Sequence, residues 1–318
     1  MAEASPGNTP RRPGVLAVHS LDHFQFAVPD LAQAARFYTT FGLDVQEEAE
    51  ALALRTAGSG HVWGRVSEGP RKKLNLVSFA AYAEDVPRFE AHLARIGVAR
   101  VDPPKGFESN GIWVRDPDGV LIEVRAGEKT SPDAKAPVDP YGGDAGVRNA
   151  PNRSAAARVH PRRFAHMLNF TTEVDKAIAF YSGVLGLRLS DRSGDGIAFL
   201  HGAHGSDHHM IAFVKSNAPG LHHVSWDVPS IDEIGRGANY MREHGYARGW
   251  GLGRHVLGSN FFHYVRDPWG GYSEYSSDID YIPVTADWRA ADHPAEDSFY
   301  IWGPDPPEDF AVNYEAGG

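Results

Sequence analysis

The sequence predicts an α+β protein made of two tandem domains, each containing two βαβββ units. The chain has 318 residues, more than one hydrophobic core usually organises, so two domains are expected. Its hydrophobic content of 42% supplies enough apolar side chains for that arrangement. In addition, segments of the first half recur in the second half in the same order, which indicates a duplication.

The duplication is visible in three pairs of segments. In the first pair, Tyr38 follows His23 by 15 positions. Tyr181 follows His166 by the same number of positions. The third pair contains an Arg-Asp-Pro turn with a glutamate eight residues after the arginine. The matching segments are residues 21–43 and 164–187, residues 74–89 and 221–236, and residues 112–124 and 261–275.

Each repeat begins with a strand of alternating apolar residues, followed by a helix and then by short strands between glycine-rich turns. The clearest helix begins at Ser230, whose hydroxyl can cap it while Glu233 completes a capping box. Gly245 is expected to end this helix. Residues 116–119, Asp-Pro-Asp-Gly, predict a tight turn because proline fixes one dihedral angle and glycine tolerates a positive one.

A segment without helical or strand periodicity separates the two halves. It is rich in Pro, Gly, Ala and Asp, which leaves two interpretations open, a connector that wraps the surface and a wholly disordered linker. The end of the chain combines aromatic residues with prolines, so we expect it to pack back on the second domain, either over its surface or over the mouth of its pocket. The predicted parts are an N-terminal domain (residues 18–128), a connector (129–161), a C-terminal domain (162–290) and a C-terminal tail (291–318).

The composition excludes several kinds of function. The formal net charge of -10 and the lack of a basic block predict no nucleic-acid partner and no acidic membrane partner. The sequence has no apolar run of transmembrane length, and its first 17 residues lack the apolar core of a signal peptide. We therefore predict a cytoplasmic protein. Because the chain has no cysteine, any metal site has to use nitrogen and oxygen ligands.

Two histidines and one glutamate of the second half fall on three separate predicted strands. They are His166, His223 and Glu274. Two imidazoles and a carboxylate form the facial arrangement that holds an iron-like divalent metal and leaves coordination positions open. The chain has 16 histidines, and a single strand histidine is more often a packed or surface residue than a ligand. The repeat fixes all three positions, however, which favours a metal site.

The matching positions of the first half are His23, Leu76 and Glu123. Leucine has no lone pair to offer, so only two ligands remain and a metal would bind weakly there. The sequence therefore predicts a catalytic second domain and a metal-free first domain, in which the copied hairpin is structural.

The second half also carries a longer motif. In residues 251–275, GLGRHVLGSNFFHYVRDPWGGYSEY, a tyrosine follows the histidine by nine positions and a glutamate follows that tyrosine by ten. Together with residues 164–170, 199–213 and 221–226, this segment resembles the type I extradiol ring-cleaving dioxygenases of the vicinal oxygen chelate superfamily. The resemblance covers about residues 20–282 and implies the vicinal oxygen chelate fold, with curled mixed sheets.

The resemblance implies roles for individual residues of the second half. His209 is the implied acid-base catalyst. His208 and His209 are predicted on one strand, so only one of the two side chains is expected to face the site. His255 and Tyr264 are implied to be catalytic residues that hydrogen-bond the hydroxyl oxygens of the substrate, and His222 is implied to bind the substrate as a neighbour in the pocket. The implied metal ligands, for Fe(II) or alternatively Mn(II), are His166, His223 and Glu274.

The implied reaction is extradiol cleavage of a substituted catechol by O2 to a ring-opened semialdehyde, carried out by a homodimer or homotetramer. Two alternatives stay open, a glyoxalase-like isomerase or lyase and a non-catalytic module that binds a small molecule. Arg248 and Arg254 are either partners for a substrate carboxylate, or surface charges or internal salt-bridge partners. His263 and Leu257 depart from the family motif, which leaves the shape of the substrate pocket open.

Overall fold

The computed structural model describes residues 11–105, 109–139 and 142–316. The predicted connector and tail therefore include residues 140–141 and 317–318, which lie outside the described residues. The elements of the first half are β1 (Ser20–Val28), α1 (Leu31–Phe41), β2 (Asp44–Glu47), β3 (Ala51–Arg55), β4 (Gly64–Glu68), β5 (Lys73–Ala81), α2 (Val86–Ile96), β6 (Ile112–Arg115) and β7 (Leu121–Ala126).

The first half forms one mixed sheet of seven strands, in the order β2-β3-β4-β1-β5-β7-β6. Strand β1 runs parallel to β4 and antiparallel to β5. The first unit has the predicted order β-α-β-β-β. Within the described residues, the second unit has two strands after its helix instead of the expected three. At the place of the expected additional strand, the backbone N–H of Val101 donates to the carbonyl of Trp113.

The second half contains the same units with short additions from the tail. Its elements are β8 (Arg163–Thr171), α3 (Val174–Gly183), β9 (Arg188–Ser193), β10 (Ile197–His201), β11 (Ser206–Asp207), β12 (Ile211–Lys215), β13 (Gly220–Asp227), α4 (Ile231–Glu243), β14 (Gly249–His255), β15 (Phe261–Arg266), β16 (Tyr272–Ser277), β17 (Tyr281–Ile282), β18 (Ala291–Asp292) and β19 (Tyr300–Trp302).

Ten of these strands form the second mixed sheet, in the order β18-β9-β10-β12-β8-β13-β16-β15-β14-β19. The central strands β8, β13 and β16 belong to three different parts of the duplicated sequence. Both outer strands come from the tail, since β18 pairs with β9 and β19 pairs with β14. The α+β class and the tandem arrangement predicted from the sequence are confirmed by these two sheets.

Local sequence signals explain where helices and turns begin and end. Helix α4 starts after Ser230, whose side chain accepts a hydrogen bond from the backbone N–H of Glu233, as predicted. The helix ends at Glu243, and Gly245 follows it with a φ of 93°. In the predicted turn at residues 116–119, Gly119 has a φ of 85°, which an L side chain rarely adopts.

The two halves pack against each other through aromatic side chains. The ring of Phe41, at the end of α1, stacks on Tyr275 of β16 with centroids 3.9 Å apart. The Tyr275 hydroxyl donates to the carbonyl of Phe41 at 2.7 Å. Phe24 of β1 contacts Phe164 of β8 at 5.1 Å between centroids. One hydrophobic cluster therefore extends through both halves and supports the central strands of the second sheet from behind.

Candidate active site

Three neighbouring strands bring the predicted ligands together. His166 of β8 and Glu274 of β16 are both paired with Ser225 of β13, one on each side of it. His223 lies two residues before Ser225, and side chains two positions apart on a strand point to the same face. The ligand atoms of the two histidines and the glutamate all lie within 4.8 Å of one another.

The distances between these atoms suit a single ion. Oε2 of Glu274 is 3.1 Å from Nε2 of His166 and 3.6 Å from Nε2 of His223. Ligands placed about 2.0–2.2 Å from one ion and at right angles to each other are about 3 Å apart. All three side chains are buried, between 0% and 3% exposed.

Two of the atoms that face the centre lack hydrogen-bond partners. Oε2 of Glu274 and Nε2 of His223 have none among the described residues, although both are buried. A buried carboxylate without donors is costly unless a cation compensates for it. Burial, followed by the nearby imidazoles of His222 and His166, holds the pKa of His223 well below its usual value. A neutral imidazole and an ionised carboxylate are the forms that bind metal, so these residues fit a divalent ion.

His209 lies beside this centre, and its neighbour His208 does not. The rings of His209 and His166 are 4.1 Å apart between centroids. The prediction that both histidines sit on one strand is wrong, because they occupy a bend between β11 and β12. Only His209 lines the cavity next to the predicted ligands, while His208 turns toward Asp191.

Burial, followed by the nearby imidazoles of His166 and His208, lowers the pKa of His209 well below its usual value. The imidazole is therefore neutral near pH 7 and has a lone pair that can accept a proton.

His255 and Tyr264 face the same centre from β14 and β15. Nε2 of His255 is 3.0 Å from the hydroxyl of Tyr264, and Nδ1 of His255 is 2.9 Å from the carbonyl of Phe299. Tyr264 is paired in the sheet with Glu274. Burial, and then the charge of Glu274, raises the pKa of the Tyr264 hydroxyl well above its usual value. The hydroxyl therefore keeps its proton and can donate a hydrogen bond.

His222 contacts the centre indirectly. Its Nδ1 is 2.8 Å from Nδ1 of His223, and its Nε2 is 2.8 Å from the carbonyl of Phe310. Both ring nitrogens are thus used within the protein, so neither is free to bond a substrate. His222 lines the cavity, so the predicted contact with a substrate can be made only by the carbon edge of its ring.

A cavity of about 360 Å³ is lined by His166, His209, His222, His223, His255 and Tyr264. Arg248 and Arg254 do not line it, because Arg248 pairs with Asp309 at 3.1 Å and Arg254 donates to the carbonyl of Ser259 at 3.0 Å. Within the described residues, no Lys, Arg, Asp or Glu side chain lines the cavity. Its apolar wall consists of Leu168, Ile197, Phe199, Val214, Leu257, Ala295, Phe299, Phe310 and Ala311.

Three contributions to the site were missed in the sequence. Phe299 and Phe310 of the tail close one side of the cavity. No periodic pattern in the sequence predicts that these two residues lie there. The side-chain amide of Asn260 donates to Oε1 of Glu274 at 3.3 Å. The repeat alignment contains a signal for this residue, because Ser109, 151 positions earlier, contacts the matching Glu123.

Comparisons with known proteins agree with this arrangement. The family model of the Glyoxalase/Bleomycin resistance protein/Dioxygenase superfamily matches residues 20–124 and 163–274. Metapyrocatechase 2 of Cupriavidus necator is 50% identical over 312 residues, which are 98% of this chain and 96% of that protein. The manganese-dependent 2,3-dihydroxybiphenyl 1,2-dioxygenase of Geobacillus genomosp. 3 is 24% identical over 89% of this chain and 93% of its own length.

A solved structure shares the fold at lower identity. The 2,2',3-trihydroxybiphenyl 1,2-dioxygenase of Sphingomonas wittichii strain RW1 superposes with a TM-score of 0.71 at 18% identity. The superposition covers 92% of this chain and 100% of that chain.

None of the helices in the described residues has the length and apolar character needed to span a lipid bilayer.

Proposed function

The chain belongs to the glyoxalase/bleomycin resistance protein/dioxygenase superfamily, and on this premise we propose extradiol cleavage of a catechol ring as its function. It is an extradiol catechol dioxygenase, an oxidoreductase that adds both atoms of O2 and gives a ring-opened semialdehyde. The observation that carries the proposal is the convergence of the ligand atoms of His166, His223 and Glu274, beside a cavity that both histidines line together with His209. A module that only binds small molecules needs no such set of residues.

We propose that His166, His223 and Glu274 hold one Fe(II) ion, with Mn(II) as the alternative. The donor set of two imidazoles and one carboxylate accepts both ions. When bound, such an ion would supply the positive charge that brings the catechol and O2 together and lowers the pKa of the catechol hydroxyls.

His209 is proposed to take a proton from the substrate. Its Nδ1 is 3.1 Å from Nδ1 of His208, so Nε2 is the atom left to act in the cavity. Because burial keeps this imidazole neutral, its Nε2 can accept a proton from a catechol hydroxyl and later return it.

Tyr264 and His255 are proposed to orient the substrate. The Tyr264 hydroxyl keeps its proton and donates to an oxygen of the bound catechol, which stabilises negative charge there. The carbonyl of Phe299 accepts from Nδ1 of His255, which leaves Nε2 of His255 as an acceptor for the Tyr264 hydroxyl or for a substrate hydroxyl.

The cavity favours a catechol whose ring substituent is uncharged. Its walls beyond the histidines are aliphatic and aromatic, and no cation among the described lining residues is placed to pair with a substrate carboxylate. Moving an ionised carboxylate into such surroundings without a partner is costly. We therefore expect alkyl- or aryl-substituted catechols to be better substrates than carboxylated ones.

The test is metal loading without oxygen, followed by oxygen uptake. The purified protein is loaded anaerobically with Fe(II) or with Mn(II), and O2 consumption and the absorbance of a yellow product are measured on adding a catechol. The panel contains catechol, a methylcatechol, a phenylcatechol and a carboxymethylcatechol. Oxygen uptake with the uncharged catechols supports the proposal. Metal-loaded protein that consumes no O2 with any of the four contradicts it.

The remaining predictions have their own measurements. Assembly as a dimer or tetramer is tested by light scattering of the metal-loaded protein. A cytoplasmic location is tested by fractionating cells that produce the full chain.

A further inference from the structure

A second histidine and an aspartate lie behind the proposed proton acceptor. Nδ1 of His208 is 3.1 Å from Nδ1 of His209, and Nε2 of His208 is 2.9 Å from Oδ2 of Asp191 on β9. His208 is 1% exposed and Asp191 is 6% exposed, so water has little access to either. These contacts form a continuous hydrogen-bonded path that leads from the cavity wall into the protein.

The direction of each hydrogen bond follows from the carboxylate. Burial alone would raise the pKa of Asp191, but hydrogen bonds from His208, Ala291 and His293 hold it below its usual value. An ionised aspartate only accepts, so Nε2 of His208 carries a hydrogen, and in the neutral form of the ring Nδ1 then has the lone pair. The bond between the two Nδ1 atoms then requires the hydrogen to be on His209. Nε2 of His209 is left with the lone pair.

We propose that Asp191 and His208 are positioning residues that fix His209 in this tautomer and hold the proton that it removes. The inference rests on the proposed function. When Nε2 of His209 accepts a proton from a catechol hydroxyl, the hydrogen on its Nδ1 passes to Nδ1 of His208. His208 is then an imidazolium beside the Asp191 carboxylate, and His209 is neutral again. The reverse transfer returns the proton to an oxygen of the reacting substrate.

The tail fixes the orientation of the aspartate. Oδ1 of Asp191 accepts from the backbone N–H of Ala291 at 2.9 Å and is 3.1 Å from Nε2 of His293. Oδ2 is thereby left for His208. The ring of Trp288 lies 5.6 Å from the ring of His208 and covers it. The tail thus separates the two carboxylate oxygens into one that is anchored and one that faces the histidines.

This arrangement makes Asp191→Asn a sharp test. The backbone N–H of Ala291 requires an oxygen in the Oδ1 position, so the amide NH2 of the new asparagine faces His208. Nε2 of His208 then accepts, its Nδ1 donates to His209, and the hydrogen of His209 moves to Nε2. We expect kcat to fall about 10- to 100-fold, as for other residues that orient a functional histidine. KM for the catechol and the amount of bound metal should stay unchanged.

Nitrogen NMR of the metal-free protein gives a measurement that does not depend on activity. Protein labelled with [15N]histidine is compared with its His209→Gln variant to identify the His209 signals. The wild type should carry the hydrogen on Nδ1 of His209, and the Asp191→Asn variant on Nε2. The same tautomer in both proteins, or an unchanged kcat in the variant, would overturn the proposal.

Two further variants complete the test. His293→Gln is the matched control, because the backbone N–H of Ala291 still holds Oδ1 of Asp191 in this variant and Oδ2 still faces His208. This variant should keep both the tautomer and kcat of the wild type. If Asp191→Asn does not fold, His208→Gln carries the test, with the same expected fall in kcat and unchanged metal content. A wild type that consumes no O2 would contradict the proposed function, while the NMR comparison would still decide the tautomer.

Discussion

The two domains place the same glutamate at the same point of the sheet and surround it differently. In the first domain, the hydroxyls of Ser78 and Ser109 both donate to the buried carboxylate of Glu123. In the second domain, Oε2 of Glu274 has no donor among the described residues. Ser225 occupies the position of Ser78, but its hydroxyl has no hydrogen-bond partner among the described residues. Both oxygens of Glu123 therefore accept hydrogen bonds, whereas Glu274 has one oxygen, Oε2, left open for a cation.

The residues around the glutamate also differ between the two domains, and at two positions the first domain lacks the side-chain group that could bind a metal or a substrate in the second. His223 is replaced by Leu76 in the first domain, as the sequence indicated. The sheet register adds that Trp113 takes the position of Tyr264, since each is paired with the glutamate of its own domain. His23, which matches His166, is 2.7 Å from Oδ2 of its neighbour Asp22.

This comparison separates what the fold requires from what the chemistry requires. Both domains bury a carboxylate in a β-sheet, and a buried carboxylate needs either donors or a cation. The duplicated backbone supplies the place in both cases. Only the second domain leaves one carboxylate oxygen, Oε2 of Glu274, without a donor among the described residues and adds a second imidazole, so the backbone alone does not determine function.

The largest effect is expected from His223→Leu, which gives the second domain the residue that the first domain has. Loss of one of three ligands should lower metal affinity by more than the roughly 100-fold that outer contacts control, and oxygen uptake should disappear. Metal content is measured by elemental analysis after gel filtration, and unfolding by calorimetry without metal. Because leucine is tolerated at the matching position, the metal-free variant should stay folded.

The reciprocal change, Leu76→His, tests the same comparison from the other side. We expect the variant to bind no more than one ion per chain, because each oxygen of Glu123 already accepts from a hydroxyl and His23 is held by Asp22. A second ion bound with similar affinity would show that the missing histidine alone accounts for the difference between the domains.

The next largest effect is expected from His209→Phe. The ring is replaced by one of similar shape that accepts no proton, so kcat should fall by about 100- to 10,000-fold. Metal content and the affinity for a catechol, measured anaerobically by titration, should stay near those of the wild type. An unchanged kcat would remove His209 from the reaction.

Tyr264→Phe should have a smaller effect than His209→Phe. The variant loses one hydrogen bond to a charged oxygen, worth about 1.5–3 kcal/mol, or about 10- to 100-fold in kcat/KM. Oxygen uptake at several catechol concentrations separates kcat from KM. Tyr272→Phe is the matched control, because Tyr272 lies on the neighbouring strand and its buried hydroxyl has no partner among the described residues. That variant should keep the activity of the wild type.

The comparison also explains how much of the site the sequence contained. The two sheets and the meeting of His166, His223 and Glu274 follow from the repeat, because equivalent strands occupy equivalent places in each domain. Phe299 and Phe310 belong to the tail, which has no counterpart in the first domain. No internal comparison was available to place them beside the cavity.

The bend that carries His208 and His209 could not be predicted for a different reason. The apolar residues of β12 follow the two histidines directly, so the sequence favours a strand that includes both histidines. The chain instead leaves the strand, where the backbone N–H of His208 donates to the carbonyl of Asp280. That bond joins residues 72 positions apart in the sequence, and local periodicity contains no information about it.

The smallest effect is expected from a pair of serine variants that leaves the metal site intact. Ser78→Ala removes a donor to the buried Glu123, so the free energy of unfolding should fall by about 1–3 kcal/mol. Ser225→Ala, at the matching position, removes a hydroxyl without a partner among the described residues, so its effect should stay within about 0.5 kcal/mol. Urea unfolding of both metal-free proteins measures the difference. Equal losses would mean that the two carboxylates have equivalent surroundings, which would contradict the assignment of an open carboxylate to the second domain alone.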